Sequence, residues 1–337
     1  MSRVALGIPV YNGEAYLAEA VESILGQSCG DFELLISDNA STDGTEEICR
    51  RYARQDGRVR YVRQASNIGA VRNFNWLIEH SGDTEFFKWA AHDDVLAPGF
   101  LAACVTALDA DPSVVLAMPA TVLVDEDGSP LPFSPERGGM IDASGMCWPA
   151  MPERNSDVAS SDAVARFVAI VMHTNMNVEN FGVIRRSALK RIAPLGNFLA
   201  SDKIFLAELT QQGRFWQGHE PLFLRRCHSR QFSVAAMADD RGAERANLPA
   251  AYYADRRAEW FFGRPARALA ILQSVSVQKL IFLGAYGRVL VQSRLTLWQR
   301  VACLRALARR AALRGKASLG GEIGELGGLY PTGERTT

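Results

Sequence analysis

The 337-residue sequence predicts an α/β fold: a Rossmann-like, mostly parallel sheet covered by helices, with a C-terminal helical extension. Three observations carry this. Strand and helix patterns alternate through the first hundred residues, which argues for parallel strands joined by right-handed crossovers. The early strand-like runs are almost wholly apolar, as strands covered on both faces must be. Beyond about Glu244 strand signals cease, and helical spacing continues to a Gly-rich tail from Gly315.

The elements follow in order. Val4–Tyr11 is an apolar strand ended by Asn12-Gly13, and Ala15, Leu17, Ala18, Val21, Ile24 and Leu25 recur at helical spacing up to Gly26. Phe32–Ser37 is a second strand ending at Asp38-Asn39. Ser41-Thr-Asp-Gly-Thr45 is turn and cap chemistry for a helix through Tyr52. Val59–Val62 is a third strand, Asn67-Ile-Gly69 a turn, and Ala70–His80 a helix. The apolar run Glu85–Ala91 then stops at His92-Asp93-Asp94. Ligands of open α/β sheets bind beyond the carboxyl ends of the strands, so Tyr11, Asp38 and Asp93 share the rim where a metal-bound phosphate would sit. Taken alone, Asp93-Asp94 reads equally as a helix cap with a solvated neighbour.

A helix over Phe100–Leu108, a strand over Val114–Val124 and a turn at Asp125–Gly128 follow. Residues 130–157 are rich in Pro, Gly, Ser and Met without a period and read as a loop or lid, not a sheet element. Helical spacing returns at Ala163–Val171, strand character at Asn180–Arg185, and Asp202 stands at or near the start of an amphipathic helix ending at Gly213. Phe215–Leu224 is strand-like and runs into Arg225-Arg226-Cys227-His228. Between Leu290 and Lys316 seven Lys and Arg face no acidic residue, and Leu295, Leu297, Trp298, Val301, Leu304, Leu307 and Leu313 fall near one helical face. That pattern suits an anionic membrane surface, or equally a helix packed on the core with a solvated basic side.

Composition excludes disordered and fibrous classes: 48% of residues are hydrophobic and 22% charged. The 37 basic and 37 acidic residues balance, which gives no argument for a nucleic-acid partner. Six scattered cysteines without a Cys-x-x-Cys pair read as reduced core thiols. No secretory leader pattern follows Met1, and the best apolar run, Val275–Val291, is interrupted by Gln278, Lys279 and Arg288, so the expected location is cytoplasmic.

The ordered set Ile8-Pro-Val-Tyr-Asn-Gly-Glu14, Ser37-Asp-Asn-Ala-Ser-Thr-Asp-Gly-Thr45, Asn67-Ile-Gly69 with Arg72 and Asn73, His92-Asp-Asp94, Ser201-Asp202 and Arg226 to His228 resembles the family 2 glycosyltransferases over about residues 3–235. The resemblance implies a glycosyltransferase A-type fold. It also implies inverting transfer of a sugar from a nucleotide-diphosphate donor, a UDP- or TDP-sugar favoured, to a glycan or lipid-linked acceptor. Residues 1–125 would be the nucleotide-sugar half and 126–240 the acceptor-side half with the lid; outside the resemblance, 241–315 is expected to be a helical, basic C-terminal region, whose 290–316 stretch is the candidate for peripheral contact with an anionic membrane, and 316–337 a flexible tail.

Carried over, the resemblance gives Pro9, Tyr11 and Asn12 the nucleotide wall and Asp38 the base N–H, a task that suits a carboxylate because it only accepts hydrogen bonds. Asn67 and Arg72 match positions lining the diphosphate. Asp93, helped by Asp94, matches the metal-binding Asp-x-Asp segment for Mg²⁺ or Mn²⁺, but Ala91 stands where the first Asp belongs. Asp202 matches the general base, with Ser201 replacing its usual acidic neighbour, and His228 falls near the diphosphate or metal beside Arg225, Arg226 and Arg230. Trp148 and Phe181 are candidates for the acceptor site or lid. A rival reading is a catalytically degenerate nucleotide-sugar-binding protein, motivated by Ala91. A sugar nucleotidyltransferase is disfavoured by the lack of a Gly-rich, Lys-containing loop after the first strand.

Overall fold

The structure, a computed structural model, describes residues 2–151, 156–173, 177–197, 201–228, 275–293 and 295–319. Its first part runs β1 (Val4–Val10), α1 (Leu17–Leu25), β2 (Phe32–Asp38), α2 (Thr45–Gln55), β3 (Val59–Arg63), α3 (Ala70–His80), β4 (Phe86–Trp89), β5 (Val95–Leu96), α4 (Phe100–Ala110) and β6 (Val114–Val124). Every residue of β1 is buried, which is why its apolar pattern shows no alternation. Helix α1 turns Leu17, Ala20, Val21 and Ile24 inward, the i, i+3, i+4, i+7 stripe that covers a sheet face.

After β7 (Phe133–Ser134), β8 (Gly139–Ile141) and β9 (Cys147–Pro149) come α5 (Ala163–His173), β10 (Val183–Arg185), α6 (Arg186–Leu189), α7 (Ser201–Thr210) and β11 (Arg214–Arg226). Eight strands form one sheet in the order β3-β2-β1-β4-β10-β6-β11-β5. Strands β3, β2, β1 and β4 are parallel, β6 pairs parallel with β11, and β10 and β5 run against their neighbours. The register Val10↔Asp38 and Asp38↔Arg63 brings three strand ends level at one rim.

Three expectations change. Strand β4 stops at Trp89 because β1 supplies pairing only as far as Gly7, whose carbonyl accepts from the Ala90 amide at 2.9 Å. Asp93 and Asp94 therefore lie in the link to β5. The stretch read as loop or lid is a small antiparallel sheet, β7-β8-β9. Its strands are too short to show a period. Gly138 and Gly145, at φ 61° and 81°, make its turns, and Asp142 Oδ1 accepts from the Ser144 and Met146 amides. Helix α7 is buried almost all round instead of amphipathic.

The C-terminal region forms α8 (Val275–Gln292) and α9 (Leu297–Leu319). Helix α8 packs on α7, where Arg288 Nη2 meets Glu208 Oε1 at 2.8 Å, and α9 packs on α5. The single apolar face expected there is split: Leu295 and Leu307 are buried, while Leu297, Trp298 and Leu304 face outward. No described helix is long and apolar enough to cross a membrane. All six cysteines are free. The tail expected at 316–337 falls outside the described residues from 320 onward, as do residues 229–274, Arg230 among them.

Inside the sheet lies Lys88, fully buried on β4. Its ammonium donates to the Trp89 carbonyl at 3.1 Å and to that of Phe181, and lies 4.5 Å from the Phe100 ring centroid. With no carboxylate bound to it, burial pushes its pKa from 10.5 down to about 7. Between those values the unfolded chain holds a proton that the folded chain releases, so this residue makes stability rise with pH. Urea unfolding should show a contribution of up to about 1 kcal/mol per pH unit between about pH 7.5 and 9 that Lys88→Met removes. Equal slopes in both proteins would refute it.

Candidate active site

Two loops at the rim are tied to each other. The Asn12 amide donates to Ser41 Oγ at 2.9 Å, the Gly13 amide to Thr45 Oγ1 at 2.9 Å, and the Glu14 amide to Asp43 Oδ2 at 3.1 Å. In return the Thr42 amide donates to Asn12 Oδ1 at 2.8 Å and the Gly44 amide to Glu14 Oε2 at 2.7 Å. Gly13 is required by contact: a Cβ there would meet Val10 Cγ2 at 2.6 Å and the His92 ring at 2.7 Å. The Tyr11 ring stands 42% exposed above this latch, while Pro9 is buried in β1.

Asp38 is wholly buried beneath it. One oxygen accepts from the Ser41 amide at 2.8 Å; the other accepts from Tyr61 Oη and Arg63 Nη1, both at 2.8 Å. Its carboxylate thus organises the rim in this conformation, with Arg63 as its outward partner. Asn67 is held by its neighbours too, accepting on Oδ1 from Asn39 Nδ2 and the Gly69 amide, both at 2.9 Å. Arg72 is exposed on the first turn of α3, with no ion-pair partner among the described residues.

Beyond β4 the structure gathers Asp93, Asp94, Arg226 and His228, all buried. His228 Nε2 lies 3.0 Å from Asp93 Oδ2, its ring is 4.9 Å from that of Tyr16, and its Nδ1 has no hydrogen-bond partner. The fully buried Arg226 side chain donates to the Asp93 carbonyl at 3.1 Å, to the carbonyls of Asp125 and Glu126 at 3.2 and 2.5 Å, and to Glu19 Oε2 at 2.5 Å. Its amide donates to Asp94 Oδ1 at 3.0 Å. Burial would raise both carboxyls. For Asp93 the nearby His92 and the bond from His228 outweigh burial and lower it, whereas Asp94 is pushed up by burial and by Asp93 itself.

No group of three or more His, Cys, Asp or Glu side chains with the geometry of a metal cage forms among the described residues. The donors fit a hard cation that shares its coordination with a ligand's phosphate oxygens, which is how Mg²⁺ is commonly held.

Asp202 lies in the first turn of α7. Its Oδ2 accepts from Asn177 Nδ2 at 2.7 Å and its Oδ1 from the Lys203 amide at 2.8 Å. Asn177, with φ 48°, opens a 3-10 turn over Val178–Phe181, which takes in the first two residues of what reads as strand in the sequence. The turn is rich in unsatisfied acceptors: Asn177 Oδ1, Glu179 Oε2 and Asn180 Oδ1 are buried without partners among the described residues, and burial raises the Glu179 carboxyl. The charge of Arg225 favours the ionised form of both Glu179 and Asp94.

Trp148 and Phe181 are packing residues here. Trp148 is buried with Leu123, Leu131 and Cys227, and its Nε1 donates to Asp142 Oδ2 at 2.8 Å. It buttresses the residue before His228 and offers no open face. Phe181 packs on the Phe223 ring at 6.0 Å, and its carbonyl accepts from Lys88. The sequence reading missed Glu19, Asn177 and Glu179. A signal existed for Glu179, a charge inside the apolar run Val178–Ile184; none existed for Glu19, an ordinary helix-surface acid. Two shallow clefts of about 230 and 330 Å³ open around Arg186 and Lys190, at the other end of β4, and hold none of the predicted residues.

Residues 6–142 match the family described as Glycosyl transferase family 2. EpsE of Bacillus subtilis is 31% identical over 151 residues, 43% of this chain and 54% of EpsE. The glycosyltransferase GlyG of Streptococcus pneumoniae is 39% identical over 93 residues, 28% of this chain and 31% of GlyG. The chain thus spans about half, or less, of the length of these relatives. Residues 1–349 of S. aureus TarS, solved in complex with UDP-GlcNAc, superpose with a TM-score of 0.52 at 14% identity, over 94% of this chain and 92% of that one. The fold is shared.

Removing the Arg226 guanidinium leaves the carbonyls of Asp93, Asp125 and Glu126 and the Glu19 carboxylate without their donor. With Glu19 half exposed, the cost comes from the buried carbonyls left unpaired, so Arg226→Met should cost about 3 kcal/mol in urea unfolding, at about 1 kcal/mol or more for each. A loss below about 1 kcal/mol would show that the network does not hold the rim together.

Proposed function

Because residues 6–142 belong to the glycosyl transferase family 2, we propose that this chain transfers a sugar, with inversion, from a pyrimidine nucleotide-diphosphate donor to a hydroxyl of a glycan or lipid-linked acceptor. The observation that carries the reading is the buried Asp93–Asp94–His228 cluster at the carboxyl rim of the parallel strands, where such sheets bind nucleotides.

Tyr11 supplies an exposed ring for the base, and the Asp38–Asn39–Asn67 network sets the floor beneath it. Arg72, exposed and without an ion-pair partner among the described residues, meets the diphosphate. His228 faces Asp93 through Nε2, and its Nδ1 is the nitrogen that meets a diphosphate oxygen, which gives that atom its partner. Asp93, assisted by Asp94, would hold Mg²⁺ or Mn²⁺, and such a cation would supply neutralisation of the charge on the leaving diphosphate. Asp202, oriented by Asn177 and the Lys203 amide, takes the acceptor's proton as its oxygen bonds to the anomeric carbon. The bond from that carbon to the diphosphate breaks on the opposite side, and the nucleoside diphosphate leaves.

Ala91, in place of an acid, favours a second reading: a degenerate protein that holds a nucleotide sugar without turning it over. Saturable donor binding with neither transfer nor hydrolysis would favour it.

UDP-, TDP- and GDP-sugars, with and without Mn²⁺ or Mg²⁺, test the reading by thermal shift and calorimetry, since a ligand of the native state stabilises it. A pyrimidine nucleotide sugar should bind in a metal-dependent way that Asp93→Ala abolishes; no binding by any of them would end the proposal. Asp202→Asn should keep donor binding and lose about 10²–10⁴ in transfer rate. Equal loss of binding and turnover would remove Asp202 from the base role.

A further inference from the structure

Helix α9 presents two different faces. Cys303, Ala306 and Leu307 are buried on the side that packs on α5. On the other side Leu297 is 74%, Trp298 79% and Leu304 52% exposed, with Val301 between them and Arg305 and Arg309 exposed alongside. Single exposed apolar residues on a soluble protein need no explanation. A tryptophan and two leucines on one helix face, after the same helix has already buried its other apolar side, do need one.

Charge identifies the occupant. Between Trp260 and Gly321 the sequence holds eleven Lys and Arg and no Asp or Glu. A second copy would set these arginines against their own equivalents. An acidic protein partner would answer the arginines but not the leucine–tryptophan stripe. A sheet of anionic headgroups over acyl chains answers both: Trp and Leu enter the headgroup boundary while the cations meet phosphate.

We propose that the exposed face of α9 docks the protein on an anionic phospholipid surface. Helix α9 is fixed to α5, and its neighbour α8 is fixed to α7, the helix that carries Asp202. If the transferase reading holds, on which this last step rests, the hydroxyl presented to Asp202 belongs to an acceptor anchored in that same membrane.

The test uses the full chain and flotation with vesicles of phosphatidylcholine alone, or of phosphatidylcholine with phosphatidylglycerol, at about 0.1 M salt, where surface charge is only partly screened. The protein should float with the anionic vesicles only. Trp298→Glu with Leu304→Glu, at exposed positions that leave thermal unfolding unchanged, should abolish flotation. Arg305→Gln and Arg309→Gln should each lower partitioning about fivefold, the equivalent of about 1 kcal/mol per cation. Absence of flotation even at low salt, equal flotation with neutral vesicles, or a dimer in light scattering that the Trp298→Glu, Leu304→Glu variant dissolves would each overturn the proposal. Nucleotide-sugar binding measured on the same preparations separates the two claims. Vesicle binding without it removes only the lipid-acceptor step, and nucleotide binding without vesicle binding removes only the membrane.

Discussion

A buried guanidinium must be surrounded by acceptors, and the way Arg226 meets that demand sets the shape of the rim. It stands at the end of β11, yet its partners come from α1, from the link after β4 and from the turn after β6. Four segments distant in sequence are thereby held at one point. Two residues on, His228 is delivered to Asp93, and Trp148 fills the space behind Cys227. The small β7-β8-β9 sheet, with a composition that suggests a mobile flap, is in this respect a wall behind the histidine.

A second joint connects the rim to the helix that carries Asp202. Lys88, on the strand leading to the Asp pair, bonds the Phe181 carbonyl, and Asn177 at the other end of the same turn bonds Asp202. The turn carries buried acceptor oxygens without donors, an arrangement that costs stability unless hydroxyl or ammonium groups arrive from outside. A polyhydroxylated ligand has such groups. The bulk of the molecule is apolar and closely packed, while this one turn, next to Asp202, is left polar.

How much of this is legible without coordinates follows from the range of each interaction. Strands β1, β2 and β6 can be read because two-sided burial writes itself into consecutive residues, and α1 because one-sided burial writes itself into every third or fourth. The β1 and β2 loop residues are legible as turn and cap types, although the latch from Asn12 to Ser41 and from Gly13 to Thr45 is not. Strand β5 has two residues and pairs with β11, more than a hundred positions away; nothing local marks it. Arg226 looks from sequence like part of a basic cluster facing a ligand, and only its burial reveals that its charge is spent on Glu19 and backbone carbonyls. Leu295 and Leu297 share an apolar pattern, but one is buried and the other exposed, because α9 begins between them.

The latch between the two rim loops has a thermodynamic consequence of its own. Fixing the backbone of a residue costs about 1–2 kcal/mol of conformational entropy, and a loop that orders only when its ligand arrives subtracts that cost from affinity. Here Asn12, Gly13, Glu14, Thr42 and Gly44 have their amides engaged by the protein's own oxygens. Their ordering is charged to folding. A ligand entering over Tyr11 meets a wall already rigid, and its affinity on that side reflects contact and desolvation with little deduction for freezing the chain.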